Sequence, residues 1–95
     1  MSLGGFGGAQ PADDNVKSLV AKVKAATEGK LGKKYSVFEA VSFTSQIVNG
    51  TNYHVKVKVG DNDYVHVTVY QSLPCNGGKV ELKEAEGGKA LADAL

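Results

Sequence analysis

The chain has no tryptophan, one cysteine, one methionine and two prolines among its 95 residues. Each scarcity excludes something. A lone cysteine, Cys75, cannot close an intramolecular disulfide, so this is not one of the stapled scaffolds typical of small secreted domains. No apolar run approaches the length needed to span a bilayer. The stretch Met1 to Asp14 is Gly-rich and polar, and it lacks the basic and apolar regions of a secretory signal. A reducing, cytoplasmic location is therefore expected. The formal net charge is only +1, which gives no bulk attraction to nucleic acid or to an acidic membrane surface. Neither is expected as a partner.

What is present reads as one domain, residues 1–95. A chain of this length buries somewhat over ~60% of its unfolded surface, enough for a single core without staples. Residues 1–12 hold four glycines and a proline and read as a flexible arm. Asp13 or Asp14 can cap a helix. Val16, Leu19, Val20 and Val23 then follow the spacing of one apolar helical face. Gly29 and Gly32 weaken the end of that helix, and Lys30, Lys33 and Lys34 sit near its negative dipole end.

After Lys34 the period changes to two. Tyr35–Val48 reads as a long strand, with Val37, Val41, Phe43 and Ile47 on one parity. Phe38 and Val48 fall on the other, which predicts a bulge or a partly buried second face. Thr51–Val59 alternates: Tyr53, Val55, Val57 and Val59 one way, His54, Lys56 and Lys58 the other. Gly60–Asp63 reads as a turn and Tyr64–Leu73 as the next strand. Leu73–Gly78 reads as a second hairpin connection, Lys79–Lys83 as a short last strand, and Glu84–Leu95 as a weakly specified tail. The fold class is α+β: one N-terminal helix wrapped by an antiparallel β-meander sheet. Alternate hairpins of a meander point the same way, so Asn49-Gly50 and Leu73-Pro74 should lie at one end.

The segment Ser45-Gln46-Ile47-Val48-Asn49-Gly50-Thr51 stands out. Asn-Gly between alternating runs signals a type I′ hairpin tip, because both central residues need positive φ. Gln46, Ile47 and Val48 are not ordinary loop chemistry; a projecting tip with apolar shoulders is shaped to enter something, although these seven residues taken alone favour an ordinary hairpin. Catalytic and metal chemistry, by contrast, finds no support. His54 and His66 fall in neighbouring strands with no acidic companion at ligand spacing. Cys75 has nothing to orient a base and reads as an exposed free thiol. No enzyme activity, metal or cofactor is expected.

These features together resemble the cystatin family, and within it the stefins, over nearly the whole chain. Gln46-Ile47-Val48-Asn49-Gly50 matches the family's Gln-x-Val-x-Gly hairpin, and Gly4 matches its N-terminal glycine. Leu73-Pro74 matches the stefin form of the second hairpin, where secreted cystatins carry Pro-Trp. The resemblance implies a cystatin-like fold and a reversible, competitive, tight-binding inhibitor of papain-like cysteine proteases, including cathepsin L-, B- and H-like enzymes. It implies a wedge in which Leu3 and Gly4 of the arm, Gln46, Ile47, Val48, Asn49 and Gly50 of the first hairpin, and Leu73 and Pro74 of the second enter the protease cleft. Asn49 stands where the family usually carries alanine. That departure marks the alternative function, a binding module of the same fold with weak or no protease inhibition. The protein is expected to be mainly a monomer, with air oxidation able to link two copies through Cys75.

Overall fold

The carboxylate of Asp13 accepts a hydrogen bond from the Val16 backbone N–H at 2.8 Å, satisfying one of the donors a helix start leaves free. The resulting helix α1 runs Asp14–Leu31 in this computed structural model, which describes residues 9–47, 49–73, 77–93 and 95. It ends at Gly32, whose left-handed conformation (φ 71) lets its N–H return to the Glu28 carbonyl at 2.8 Å. The expected stripe of Val16, Leu19, Val20 and Val23 is buried, extended one turn by Thr27. The Thr27 hydroxyl is satisfied inside the apolar contact by donating to the Val23 carbonyl.

Among the described residues the sheet has five antiparallel strands in chain order: β1 (Gln10–Pro11), β2 (Glu39–Ile47), β3 (Thr51–Gly60), β4 (Asp63–Gln71) and β5 (Val80–Lys89). Helix α1 packs across one face of the sheet, and the core is mostly valine, with Leu19, Ala40, Phe43 and Tyr64. Val55, Val57, Val65, Val67 and Val69 are each no more than 1% exposed. The predicted alternation of β3 and β4 is thus realised, with the valine parity turned to the helix. The bulge expected in the first long strand falls between Ala40 and Ser42. It brings Ala40 and Phe43, which have opposite parities, onto the same buried side.

Four expectations are corrected. The arm is not free up to residue 12: Gln10 and Pro11 pair with Phe43 and Ser42, and the Ala12 N–H donates to the Val41 carbonyl. Proline is tolerated there because β1 is an edge strand. The first long strand begins at Glu39 rather than Tyr35. The Tyr35 N–H is engaged by the Glu28 carboxylate at 2.8 Å, and its ring stacks on Phe38 instead of entering the ladder. Val37 and Ile47, assigned to the apolar parity, are exposed. The last strand extends to Lys89, because its register with β4 continues from Gln71↔Val80 to Tyr64↔Lys89.

The longer β5 changes the outer face of the sheet. Lys56, on the parity opposite the valines, is 5% exposed. Its ammonium donates to the Leu91 and Asp93 carbonyls, so the tail after β5 is strapped back over the sheet. A turn in which the Asp93 N–H donates to the Ala90 carbonyl and the Ala90 N–H to the Asp93 carboxylate sets up those acceptors.

Candidate functional site

Register places both hairpin connections at one end. Ile47 pairs with Thr51, Thr51 with Gln71 and Gln71 with Val80, forming a single row across four strands. Beyond that row lie the β2–β3 tip and the β4–β5 connection. β1 runs antiparallel to β2, so its N-terminal end also faces this end of the molecule.

Asn49 (φ 50) and Gly50 (φ 128) both adopt positive φ, as the Asn-Gly signal requires. The closing pair is Ile47↔Thr51, however, so three residues cross the tip rather than two. Glycine is obligatory at position 50 for a second reason. A Cβ there would lie 2.5 Å from the Tyr70 hydroxyl oxygen and 2.8 Å from the Gln71 carbonyl oxygen. Close approach of β4 is thus built into the tip. The Tyr70 hydroxyl donates to the Asn49 carbonyl at 2.6 Å and pins the first connection to the strand that leads into the second. Ile47 is 83% exposed, the most exposed large apolar side chain among the described residues. Gln46 is half-buried beside it.

The neck of the second connection is closed by the Ser72 N–H donating to the Lys79 carbonyl at 2.8 Å and the Lys79 N–H to the Ser72 hydroxyl at 2.7 Å. Leu73 follows, half-buried, its carbonyl accepting from the Gly78 N–H. Between the two connections lies an open groove of about 370 Å³, lined by Gly50, Thr51, Gln71, Ser72 and Leu73 with Gly77. The structure thus brings together Gln46, Ile47, Asn49, Gly50 and Leu73. Leu3, Gly4, Val48, Pro74 and Cys75 lie outside the described residues.

Tyr70 was absent from the sequence-based site. A two-residue turn at Asp61-Asn62 with unbroken pairing would place it opposite Tyr53. The irregularity between Lys58 and Gly60 shifts the register by one, and Tyr70 lies opposite Asn52, within reach of the tip. The aromatic at the strand end was a usable signal; the shift was not legible.

The two histidines sit elsewhere, on the outer face. With β5 extended, Glu86 pairs with His66, and Glu84 pairs with Thr68, next to His54. Acidic companions therefore exist, against expectation. Yet among the described residues no three such groups converge to hold a metal. Burial lowers the pKa of both histidines; at His66 the Lys56 and Lys89 ammonium groups lower it further, while Asp93 and Glu86 oppose the shift.

The match of a cystatin domain model to residues 4–91 decides the family. The chain belongs to the cystatin family. It is 44% identical to Cystatin-B of Oplegnathus fasciatus over all 95 of its residues and 95% of that protein. It is 43% identical to human Cystatin-B, again over its whole length and 97% of that protein. Cystatin-A1 of Sus scrofa is 41% identical over 92% of its own length. The family is one of cysteine-protease inhibitors, not enzymes, so its partners are cysteine proteases. Among the described residues no helix is long and apolar enough to cross a membrane.

Proposed function

We propose that this cystatin is a reversible, competitive, tight-binding inhibitor of papain-like cysteine proteases, acting through the end of the sheet that carries both hairpin connections. One observation carries the reading. An 83% exposed isoleucine projects beside a tip that is held by Tyr70 against the neighbouring connection. A single exposed isoleucine is ordinary, but on a preformed ridge it supplies apolar area with little backbone ordering on binding. Leu73 offers a second apolar contact across the groove.

The arm completes the wedge in this reading. Leu3 lies seven residues before Gln10. An extended chain covers roughly 3.3 Å per residue, so the arm reaches roughly 23 Å, further than the roughly 13 Å from Phe43 to Ile47. Leu3 would fill an apolar subsite, and Gly4 would let the backbone pass the protease's catalytic cysteine without a Cβ in the way. Val48 and Pro74 would add apolar contact, with Asn49 and Gly50 forming the apex and Gln46 its flank. Burial would be of ordinary protease–inhibitor size, about 800 Å² per partner. Cathepsin L-, B- and H-like enzymes are the proposed partners and the cytoplasm the proposed location.

Titration against papain tests the reading. Residual activity should fall linearly to zero near one equivalent and recover on dilution, while a serine protease is unaffected. Full papain activity at micromolar protein would contradict it.

A further inference from the structure

We propose that Asn49 modifies itself: its side-chain amide condenses with the Gly50 backbone nitrogen to a succinimide, which opens chiefly to isoaspartate and blunts the tip. The chemistry needs only water. Solvent base takes the Gly50 amide proton, and the nitrogen attacks Asn49 Cγ. The new N–Cγ bond forms as the Cγ–Nδ2 bond breaks, and ammonia leaves carrying a proton. Water then adds to one of the two imide carbonyls. The bond from that carbonyl carbon to the Gly50 nitrogen breaks, leaving a carboxylate and releasing a proton. Nothing is oxidised or reduced.

The structure favours this site in three ways. Asn49 is exposed at the apex, and Gly50, though itself buried against β4, carries no Cβ to stand between its nitrogen and the Asn49 side chain. Gly50 is also irreplaceable, because any side chain would collide with Tyr70 and Gln71. The fold therefore fixes, after Asn49, the residue that leaves the attacking nitrogen most open. Finally, the Tyr70 hydroxyl already donates to the Asn49 carbonyl oxygen at 2.6 Å. When the Gly50 N–H is lost, negative charge spreads onto that oxygen, where a placed donor stabilises it. The same donor polarises this carbonyl in the succinimide. Water entering there breaks its bond to Gly50 and reroutes the backbone through the former side chain, which is isoaspartate. Tyr70 acts here as a positioning residue.

The consequence for binding rests on the proposed function. Isoaspartate adds a backbone carbon and a carboxylate to the apex between Ile47 and Leu73, so a fitted apolar ridge becomes longer and charged.

The test incubates the full chain for days at mildly alkaline pH and body temperature, alongside Asn49→Gln and Tyr70→Phe. Glutamine would need a six-membered ring and should not convert. Peptide mapping with synthetic isoaspartyl and aspartyl standards reads Asn49 separately from Asn76-Gly77, the other Asn-Gly pair in the sequence. Conversion at Asn49, mainly to isoaspartate, is expected, with a smaller isoaspartate share in Tyr70→Phe. Papain inhibition by aged protein should weaken roughly ten-fold against its own fresh sample, as expected for a spoiled contact at an interface centre. Aged Asn49→Gln should match its fresh sample. No conversion at Asn49 while a synthetic peptide of residues 45–53 converts would overturn the proposal. An unchanged isoaspartate share in Tyr70→Phe would overturn the role of Tyr70, and full inhibition by converted protein would overturn the blunting. If fresh protein fails to inhibit papain, the proposed function fails, and the peptide map still decides the modification.

Discussion

Two turns of this molecule use the same local device to different ends. Asn49 at the β2–β3 tip and Asn62 at the β3–β4 turn both sit in the left-handed region, at φ 50 and φ 54. At the β3–β4 turn, Asp61, Asn62 and Asp63 are all exposed and polar, and a Cβ on Gly60 would meet only the Asp63 Cβ, at an ordinary 3.5 Å. At the β2–β3 tip, glycine is forced by Tyr70 and an isoleucine stands in solvent. The first turn is explained by local backbone preference alone. The second is shaped against a neighbouring strand and exposes apolar surface that contributes nothing to the fold. Such a mismatch between local need and actual residue marks a surface kept for a partner.

Alanine at the two glycines should give the largest contrast. Gly50→Ala combines a disfavoured φ with a steric clash and should cost about 2 kcal/mol of stability. It should also weaken papain inhibition by about a hundred-fold or more, since the apex itself is displaced. Gly60→Ala should stay within about 0.5 kcal/mol and inhibit normally. Urea unfolding and inhibition assays on both variants read the contrast; equal effects would erase it.

Ile47→Ala separates binding from folding. A fully buried isoleucine is worth about 1.5–3 kcal/mol, so inhibition should weaken about ten-fold or more, mainly through faster dissociation. The melting temperature should not move, because the side chain packs on little in the free protein. Tyr70→Phe should act more gently. It removes one hydrogen bond worth about 1 kcal/mol, so inhibition should fall a few-fold with a small loss of stability in denaturant titration.

The smallest effect sets both turns apart from the outer face of the sheet. His66 is packed among Lys56 and His54 of β3, Glu84, Glu86 and Lys89 of β5, and Asp93 of the tail. Its pKa is held below the ordinary histidine value of 6.5. Above that value both native and unfolded chains carry it neutral, and it contributes no pH dependence. Below it the unfolded chain takes up the proton more readily, so stability falls as pH drops through the window beneath 6.5. Unfolding curves across that window should show the decline, and His66→Gln should make it shallower, leaving the share of His54, whose pKa burial also lowers. Gly50→Ala and Gly60→Ala should leave its slope unchanged.

Much of this architecture was legible because it rests on short-range rules. The apolar stripe from Val16 to Val23, the Asp13 cap and the valine parity of β3 and β4 each follow from spacing along the chain. The Asn-Gly tip announced itself through its φ requirement. What escaped depends on distant partners. Gln10-Pro11 becomes a strand only because β2 offers an edge. β5 continues through Glu84-Ala85-Glu86-Gly87-Gly88 because β4 supplies the ladder, while its own composition argues for an exposed tail. Lys56 is buried because carbonyls 35 and 37 residues away accept its protons. Tyr70 reaches the tip through a one-residue register shift.

Hydrogen exchange on the complex with papain tests the central claim most directly, because it reads both turns in one sample. Amides from Gln46 to Thr51 and from Ser72 to Lys79 should become strongly protected on binding. Those from Gly60 to Asp63, at the opposite end of the sheet, should exchange as in the free protein. Protection centred on Gly60–Asp63, with the two hairpin connections unchanged, would contradict the account.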